Sequence, residues 1–236
     1  MLRTFYYMRQ IVVSRHQRFE GKHPQLVPFT GCRILKTIRK VNRKLGTRFT
    51  QAHPINHDLL ERMLAVCGTD LQGIRDRMLL LIAYESLRRR SELVSLRIED
   101  LCIRADNTST ILLRDSKTDQ TGEGFIITLG VRSTKAIQHW LEASKIKEGA
   151  LIRGVRKDHI TNGYEAGQIG RTFKRIARRC GVESNVTKRI SGHSTRVGSA
   201  QDLLLKGESL AQIMARVGWT KVDTVMRYVE HISYAA

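Results

Sequence analysis

The chain has 236 residues, 41% of them hydrophobic, and its 41 Lys and Arg against 22 Asp and Glu give a formal net charge of +19. This length is enough for one substantial domain, and so strong a positive field favours nucleic acid as partner, with a ribosomal, generally basic or acidic-lipid-binding protein as the alternatives. The four cysteines show no C-x-x-C pairing and no apolar run is long enough for a signal peptide or a membrane span, so no zinc site, cofactor, disulfide framework or membrane partner is predicted.

Positive charge is concentrated at the front of the chain, where residues 1–52 hold twelve of the 41 basic residues and one of the 22 acidic ones. Within them, GCRILKTIRKVNRKLG (31–46) repeats apolar residues at helical spacing and predicts an amphipathic helix. Its basic face is either a solvated surface or one that lies along a phosphate backbone. The candidate DNA contacts on it are Lys36, Arg39, Lys40, Arg43 and Lys44.

Pro54 marks a connector, after which the pattern becomes that of a folded domain. INHDLLERMLAVCG (55–68) and GIRDRMLLLIAYESL (73–87) predict two helices, the second apolar on most sides and therefore buried. Ser91 is a plausible N-cap of a short third helix. TILLRD and GFIITLG, separated by the polar turn SKTDQTGE, predict an antiparallel hairpin. The fold class predicted is therefore mainly α with a small antiparallel sheet.

Two further helices follow the hairpin. RSTKAIQHWLEASKI (132–146) is anchored by apolar residues that include Trp140. GQIGRTFKRIARRCGV (167–182) combines one apolar stripe with a basic outer face and ends at Gly181. The candidate DNA contacts on this face are Lys174, Arg175 and Arg178.

The last quarter of the chain groups polar and aromatic residues. A helix over 191–206 would place His193 and Arg196, three residues apart, on one face, although such pairs also arise by chance. ESLAQIMARVGW (208–219) predicts a helix with Ser209 and Gln212 as a capping box and with Trp219 beyond its end. That indole N–H could point into a cleft, or the ring could be a packing anchor.

A final helix carries Tyr228. Its apolar stripe is Val222, Val225, Met226 and Val229, and at about 100° per residue Tyr228 lies off the centre of that stripe. The pattern predicts a tyrosine that is displayed rather than buried. The alternative is an ordinary tyrosine at the edge of a buried face.

Jointly these motifs resemble the tyrosine recombinase, or phage integrase, family over residues 33–231. SGHSTRVG, VGWTKV and the tyrosine after them are similar to its C-terminal catalytic boxes, in which the Trp position is His in many members. SLRRRSEL is similar to its arginine box, whose arginine lies three residues before the acid, and RDSKTDQ supplies the hairpin-turn lysine. The matching positions are Arg89, Lys117, His193, Arg196, Trp219 and Tyr228.

The resemblance implies a site-specific recombinase or integrase that cuts and rejoins DNA through a 3′-phosphotyrosine, without metal or ATP. Arg89, Arg196 and Trp219 would hold the phosphate, and Tyr228 would attack phosphorus. His193 would accept a hydrogen bond or the proton of the tyrosine, and Lys117 would protonate the departing 5′ oxygen. Glu92 would orient Arg89 or His193. Arg88 and Arg90 are expected to be solvated or to contact backbone phosphates.

The family also sets expectations for organisation. We expect residues 1–52 to be the remnant of a core DNA-binding domain and residues 53–236 to be the catalytic domain. Because few residues follow Tyr228, the helix that relatives exchange between protomers would be absent, which leaves a tetramer on DNA open. An active recombinase, a truncated or inactive DNA-binding remnant and a type IB topoisomerase-like enzyme remain as alternatives. A bacterial or phage-encoded protein of the cytoplasm, associated with the nucleoid, is expected.

Overall fold

The computed structural model describes residues 51–114, 124–157 and 159–219, together with 222, 226 and 228. Residues 51–236 form one compact unit. Within the described ranges no helix is both long enough and apolar enough to cross a membrane. The predicted N-terminal helix and the division at residue 52 stay predictions. The predicted site residues that lie outside the described ranges are Lys36, Arg39, Lys40, Arg43, Lys44 and Lys117.

Helices dominate the described residues and two small sheets join them, which confirms the predicted fold class. The helices are α1 (His57–Ala65), α2 (Leu71–Ser86), α3 (Arg90–Val94), α4 (Val131–Ser144), α5 (Ala166–Arg179), α6 (Ser184–Arg189), α7 (Ser194–Leu205) and α8 (Leu210–Val217). The strands are β1 (Leu101–Ile103), β2 (Ser109–Leu113), β3 (Phe125–Leu129), β4 (Val155–Arg156) and β5 (His159–Ile160).

Helix α2 is the centre of the main core, as its apolar sequence predicts. Asp70 caps its N-terminus by accepting a hydrogen bond from the backbone N–H of Gly73 at 3.0 Å. Met78, Leu79, Leu80 and Ile82 are all fully buried. Helices α4 and α7 and strand β3 pack against α2, so this helix holds the sheet and the C-terminal helices in one frame.

The predicted hairpin is present as β2 and β3, which pair antiparallel with Ile111 opposite Ile127. Strand β1 adds a third strand beside β2. This strand was not predicted, because three residues are too few to show an alternating pattern. Strands β4 and β5, two residues each, escaped prediction for the same reason.

Two helix starts differ from the predicted ones. Ser91 is not the N-cap of α3: the helix begins at Arg90, because the Glu92 carboxylate accepts a hydrogen bond from the backbone N–H of Arg89 at 2.9 Å. Helix α7 begins at Ser194 rather than Ser191, and His193 is its N-cap. The residues before it form a turn in which the Ser194 hydroxyl accepts from the Ser191 N–H at 2.9 Å. Both shifts make a candidate site residue the N-cap of its helix: Arg89, predicted to precede α3, and His193, predicted to lie on the face of α7.

A second apolar cluster lies at the C-terminal side of the unit. Its buried members are Leu87, Ala200, Leu203, Ile213, Val217 and Trp219. The predicted Ser209–Gln212 capping box of α8 is present, and Gly218 ends that helix with φ of 69°. The predicted stripe of the last helix is wrong at Val222 and Met226, which are 52% and 40% exposed.

Candidate active site

Arg89 and Glu92 form an ion pair at the start of α3. Glu92 is buried, and its carboxylate accepts from Arg89 Nη1 at 2.6 Å and from the backbone N–H of Arg89 at 2.9 Å. Burial raises the pKa of Glu92, but the hydrogen bonds from Arg89 and its charge outweigh burial and leave that pKa below 4.5. An ionised Glu92 therefore holds the partly exposed Arg89 guanidinium in one orientation.

Arg196 is the most deeply placed cation of the site. It lies in the first turn of α7 and is 1% exposed, with its guanidinium carbon 5.2 Å from the centroid of the Trp219 ring and 5.9 Å from that of Tyr228. Its buried Nε has no hydrogen-bond partner among the residues the structure describes. Burial lowers the pKa of Arg196, while its contact with Tyr228 opposes that shift. The guanidinium is thus a buried donor that faces an aromatic pair.

That aromatic pair is Trp219 and Tyr228, whose rings stack at 5.1 Å between centroids with 24° between planes. Gly218 ends α8 and turns Trp219 inward, and the buried Nε1 of the indole has no partner within the described ranges. Gln201 donates to the backbone carbonyl of Tyr228 at 3.0 Å. Tyr228 is half-buried rather than displayed, because its ring packs on Trp219.

His193 is the N-cap of α7. The residue is exposed, yet the protein around its ring desolvates it and Arg196, Arg90 and Arg89 lie near, so that its pKa is lowered from 6.5. The imidazole is therefore neutral at physiological pH and can accept a proton or a hydrogen bond. A neutral base near three arginines is consistent with the role expected of His193.

Arg88 contradicts the expectation of a solvated or backbone-contacting side chain. It is 4% exposed, and its guanidinium carbon lies 3.9 Å from the centroid of the Phe125 ring. Leu87 adopts a left-handed conformation with φ of 51°, which turns the chain at the end of α2. The sequence offers no signal for this difference, because three consecutive arginines look alike; Arg90 is exposed as expected.

The three predicted DNA contacts on α5 differ in their surroundings. Arg178 is exposed, and Lys174 donates to the backbone carbonyl of Lys188 at 3.0 Å on the surface. Arg175 instead pairs with the buried Asp76 and donates to the Gln72 side chain at 3.0 Å. Arg178 is therefore exposed, Lys174 is half-buried and bonded to the Lys188 carbonyl, and Arg175 is held in an internal network.

Of the predicted catalytic residues that the structure describes, Arg196, Trp219 and Tyr228 lie together, and Arg89 and His193 lie near Arg196. The buried nitrogens without a partner in the described part of the chain include Arg88 Nε, Arg196 Nε and Trp219 Nε1. Buried donors of this kind are costly unless a ligand satisfies them. The described residues contain no cluster of metal ligands. The arrangement is suited to hold an anion beside the Tyr228 hydroxyl.

Known proteins of one family are similar to this chain. Residues 54–233 match the phage integrase family. The Cre recombinase of Escherichia phage P1 is 27% identical over 213 residues, which cover 84% of this chain and 62% of that protein. The tyrosine recombinase XerD of Listeria monocytogenes is 29% identical over 177 residues, which cover 74% of this chain and 56% of that protein. The chain thus spans less than two thirds of the length of these relatives.

Solved structures show the same fold. XerA recombinase superposes with a TM-score of 0.61 at 17% identity, covering 97% of this chain and 88% of that one. XerH recombinase bound to its palindromic difH substrate superposes with a TM-score of 0.61 at 18% identity, covering 77% of this chain and 50% of that one. At these identities the likeness shows the fold alone.

Proposed function

Because the chain belongs to the phage integrase family of tyrosine recombinases, we propose that it cuts and rejoins duplex DNA at specific sites through a covalent bond between Tyr228 and a DNA phosphate. The observation that carries the proposal is the convergence of Arg196 and Trp219 on Tyr228, with buried donors that lack a partner in the described residues. A phosphodiester bound beside the phenol would give these donors an acceptor, which supports the proposal.

The first task of such a site is to neutralise the phosphate. A phosphodiester resists attack because of its negative charge, and that charge grows in the transition state. Arg89, oriented by Glu92, and Arg196 would bind the non-bridging oxygens, since guanidinium groups match phosphate geometry. The Trp219 N–H would donate to the same group. All three interactions strengthen as charge develops.

The covalent step then follows from the position of Tyr228. Its oxygen attacks phosphorus in line, a bond from that oxygen to phosphorus forms, and the bond to the 5′ oxygen breaks. The phenol proton passes to neutral His193 or to solvent. The resemblance assigns Lys117 as the acid that protonates the leaving 5′ oxygen. The phosphotyrosine retains the bond energy, so a 5′-hydroxyl can reverse the step without ATP.

Binding of the duplex would come from the basic surface of the chain. The DNA complexes solved for relatives include XerH on its difH substrate, and we assign DNA as the partner of this chain by analogy. The exposed Arg178 and the half-buried Lys174 on α5 would supply cations to the duplex, with the basic residues of 1–52 as a second contact. Release of counterions from DNA makes such binding weaken steeply with salt.

The test uses a nicked duplex, from which a short 5′-hydroxyl strand diffuses away after cleavage and traps the covalent product. The wild-type chain should form a protein–DNA adduct that survives denaturing gel electrophoresis, in EDTA and without ATP. Tyr228→Phe should form none while it binds the duplex with the same salt dependence. Salt-sensitive binding without an adduct, across a library of duplex sequences, would favour a DNA-binding protein. Relaxation of supercoils without strand exchange would favour a topoisomerase.

A further inference from the structure

Arg88 is a buried cation that takes part in none of the proposed reaction steps. It is 4% exposed, and its Nε has no hydrogen-bond partner in the described ranges. No ion pair to an acid is formed by Arg88 within the same residues. Burying a charge that is not paired with an acid costs several kcal/mol, and a bound anion would offset that cost.

The surroundings of Arg88 link two parts of the site. The guanidinium carbon of Arg88 lies 3.9 Å from the centroid of the Phe125 ring, a geometry in which the cation and the ring attract each other. Phe125 also contacts Gly218, where an added Cβ would lie 3.0 Å from Cε2 of the ring. The residue after Gly218 is Trp219, so Arg88 lies behind the turn that presents the indole.

The charged groups close to Arg88 are those of the candidate active site, Glu92, Arg196 and Arg89. Glu92 raises the pKa of Arg88, but burial first, and then Arg196 and Arg89, lower it to about 10. Arg88 stays charged at physiological pH. The described groups then supply three positive guanidiniums against one carboxylate, an excess of two, and a phosphodiester that gains charge in the transition state would compensate it.

We propose that Arg88 is a positioning residue of the phosphate site, which holds positive potential behind Arg196 and, through Phe125, fixes the turn that presents Trp219. This inference rests on the proposed function in taking the anion to be the DNA phosphate. Arg88 acts through Arg196 and Trp219 and does not itself touch the reacting atoms. Its loss therefore weakens phosphate binding and cleavage without emptying the core.

Arg88→Met tests this role, because Met fills a similar volume without charge. The adduct should form at least about tenfold more slowly, the scale of lost transition-state charge stabilisation. The melting temperature should stay or rise, because an apolar group replaces a buried charge that has no ion pair to an acid among the described residues. Arg88→Lys should recover part of the rate. Arg97→Met, at an exposed arginine paired with Glu99, is the matched control and should react as the wild type does.

Rescue by the conservative variant separates this role from a merely structural one. Arg88→Lys restores the positive charge, so its rate per folded molecule should lie above that of Arg88→Met. Loss of stability in Arg88→Met together with an unchanged rate of the folded fraction would overturn the proposal. An unchanged rate at unchanged stability would overturn it equally.

A second readout keeps this test independent of the proposed chemistry. Inorganic phosphate should raise the melting temperature of the wild type more than that of Arg88→Met, since a ligand of the native state stabilises it. If the wild type forms no adduct but this difference holds, the recombinase proposal fails and the role of Arg88 in an anion site stands. Equal phosphate shifts in both proteins would overturn that role whether or not the adduct forms.

Discussion

Replacement of Gly198 by Ala should destabilise the protein and disturb the site, because α7 passes directly over the chain at Ile55. A Cβ at position 198 would lie 1.9 Å from the Ile55 carbonyl oxygen and 2.6 Å from the Asn56 nitrogen. Both atoms belong to backbone, which cannot rotate away. The backbone N–H of Ile55 is also hydrogen-bonded to the Ser194 carbonyl at 2.9 Å, so the segment is tied to the helix it would have to leave.

The sign of the change follows from two opposed effects. Ala gains about 1 kcal/mol over Gly in a helix interior. Overpacking of a tight contact costs about 1–3 kcal/mol, and an overlap of more than 1 Å with backbone belongs at or beyond the upper end. We therefore expect the free energy of unfolding to fall by roughly 2 kcal/mol or more. Because Arg196 lies two residues earlier on α7, adduct formation by the folded fraction should fall as well.

Gly167→Ala is the matched control, since it makes the same chemical change in another helix. A Cβ at Gly167 meets only Arg171 Nη2, at 3.9 Å, so that helix propensity acts alone and stability should rise by up to about 1 kcal/mol. Urea unfolding followed by circular dichroism measures both variants. If Gly198→Ala were as stable as the wild type or gained stability as Gly167→Ala does, the packing of α7 on Ile55 described here would be wrong.

Three other substitutions probe the site itself. Glu92→Gln keeps the cap but removes the charge that holds Arg89, so adduct formation should slow by about tenfold; an unchanged rate would show that Glu92 is not needed to orient Arg89. Because the folded-state pKa of Glu92 is lowered, the wild type should lose the stabilisation that this carboxylate contributes as pH falls through and below 4.5. The variant should show no such loss. His193 has a lowered folded-state pKa, so its contribution makes stability fall as pH drops below 6.5 and level off below the folded-state value; urea unfolding of His193→Gln should lack that slope. Trp219→Phe keeps an aromatic ring on Tyr228 but loses the N–H donor, and single-turnover kinetics should show at least a tenfold lower rate, while Trp219→Ala should also cost about 3 kcal/mol of stability.

The sequence predicts the elements of this fold that carry a local pattern, such as a regular spacing of hydrophobic residues or a capping motif. The apolar run of α2, the β2–β3 hairpin and the capping box at Ser209 were all found where local pattern placed them. Strand β1 and helix α6 are too short to display a period, and tertiary contacts define them. The shifted start of α7 depends on a hydroxyl-to-backbone bond at Ser194, which has no counterpart in hydrophobic spacing.

In the candidate active site, too, some features follow from sequence motifs and others from the three-dimensional structure. Motif order brought His193, Arg196, Trp219 and Tyr228 into consideration, and the structure gathers them. Which of three adjacent arginines turns inward depends instead on the left-handed backbone at Leu87, and a non-glycine residue in that region is not foreseeable from composition. Arg88 was therefore expected at the surface and lies in the core.

The central claim is that Tyr228 forms the bond to DNA, and the identity of the linked atoms tests it most directly. The adduct formed on a nicked duplex would be digested with protease and nuclease, and the remaining nucleotide–peptide would be sequenced by mass spectrometry. The account predicts a nucleotide joined through its 3′ phosphate to Tyr228. Linkage to another residue, or through a 5′ phosphate, would contradict it.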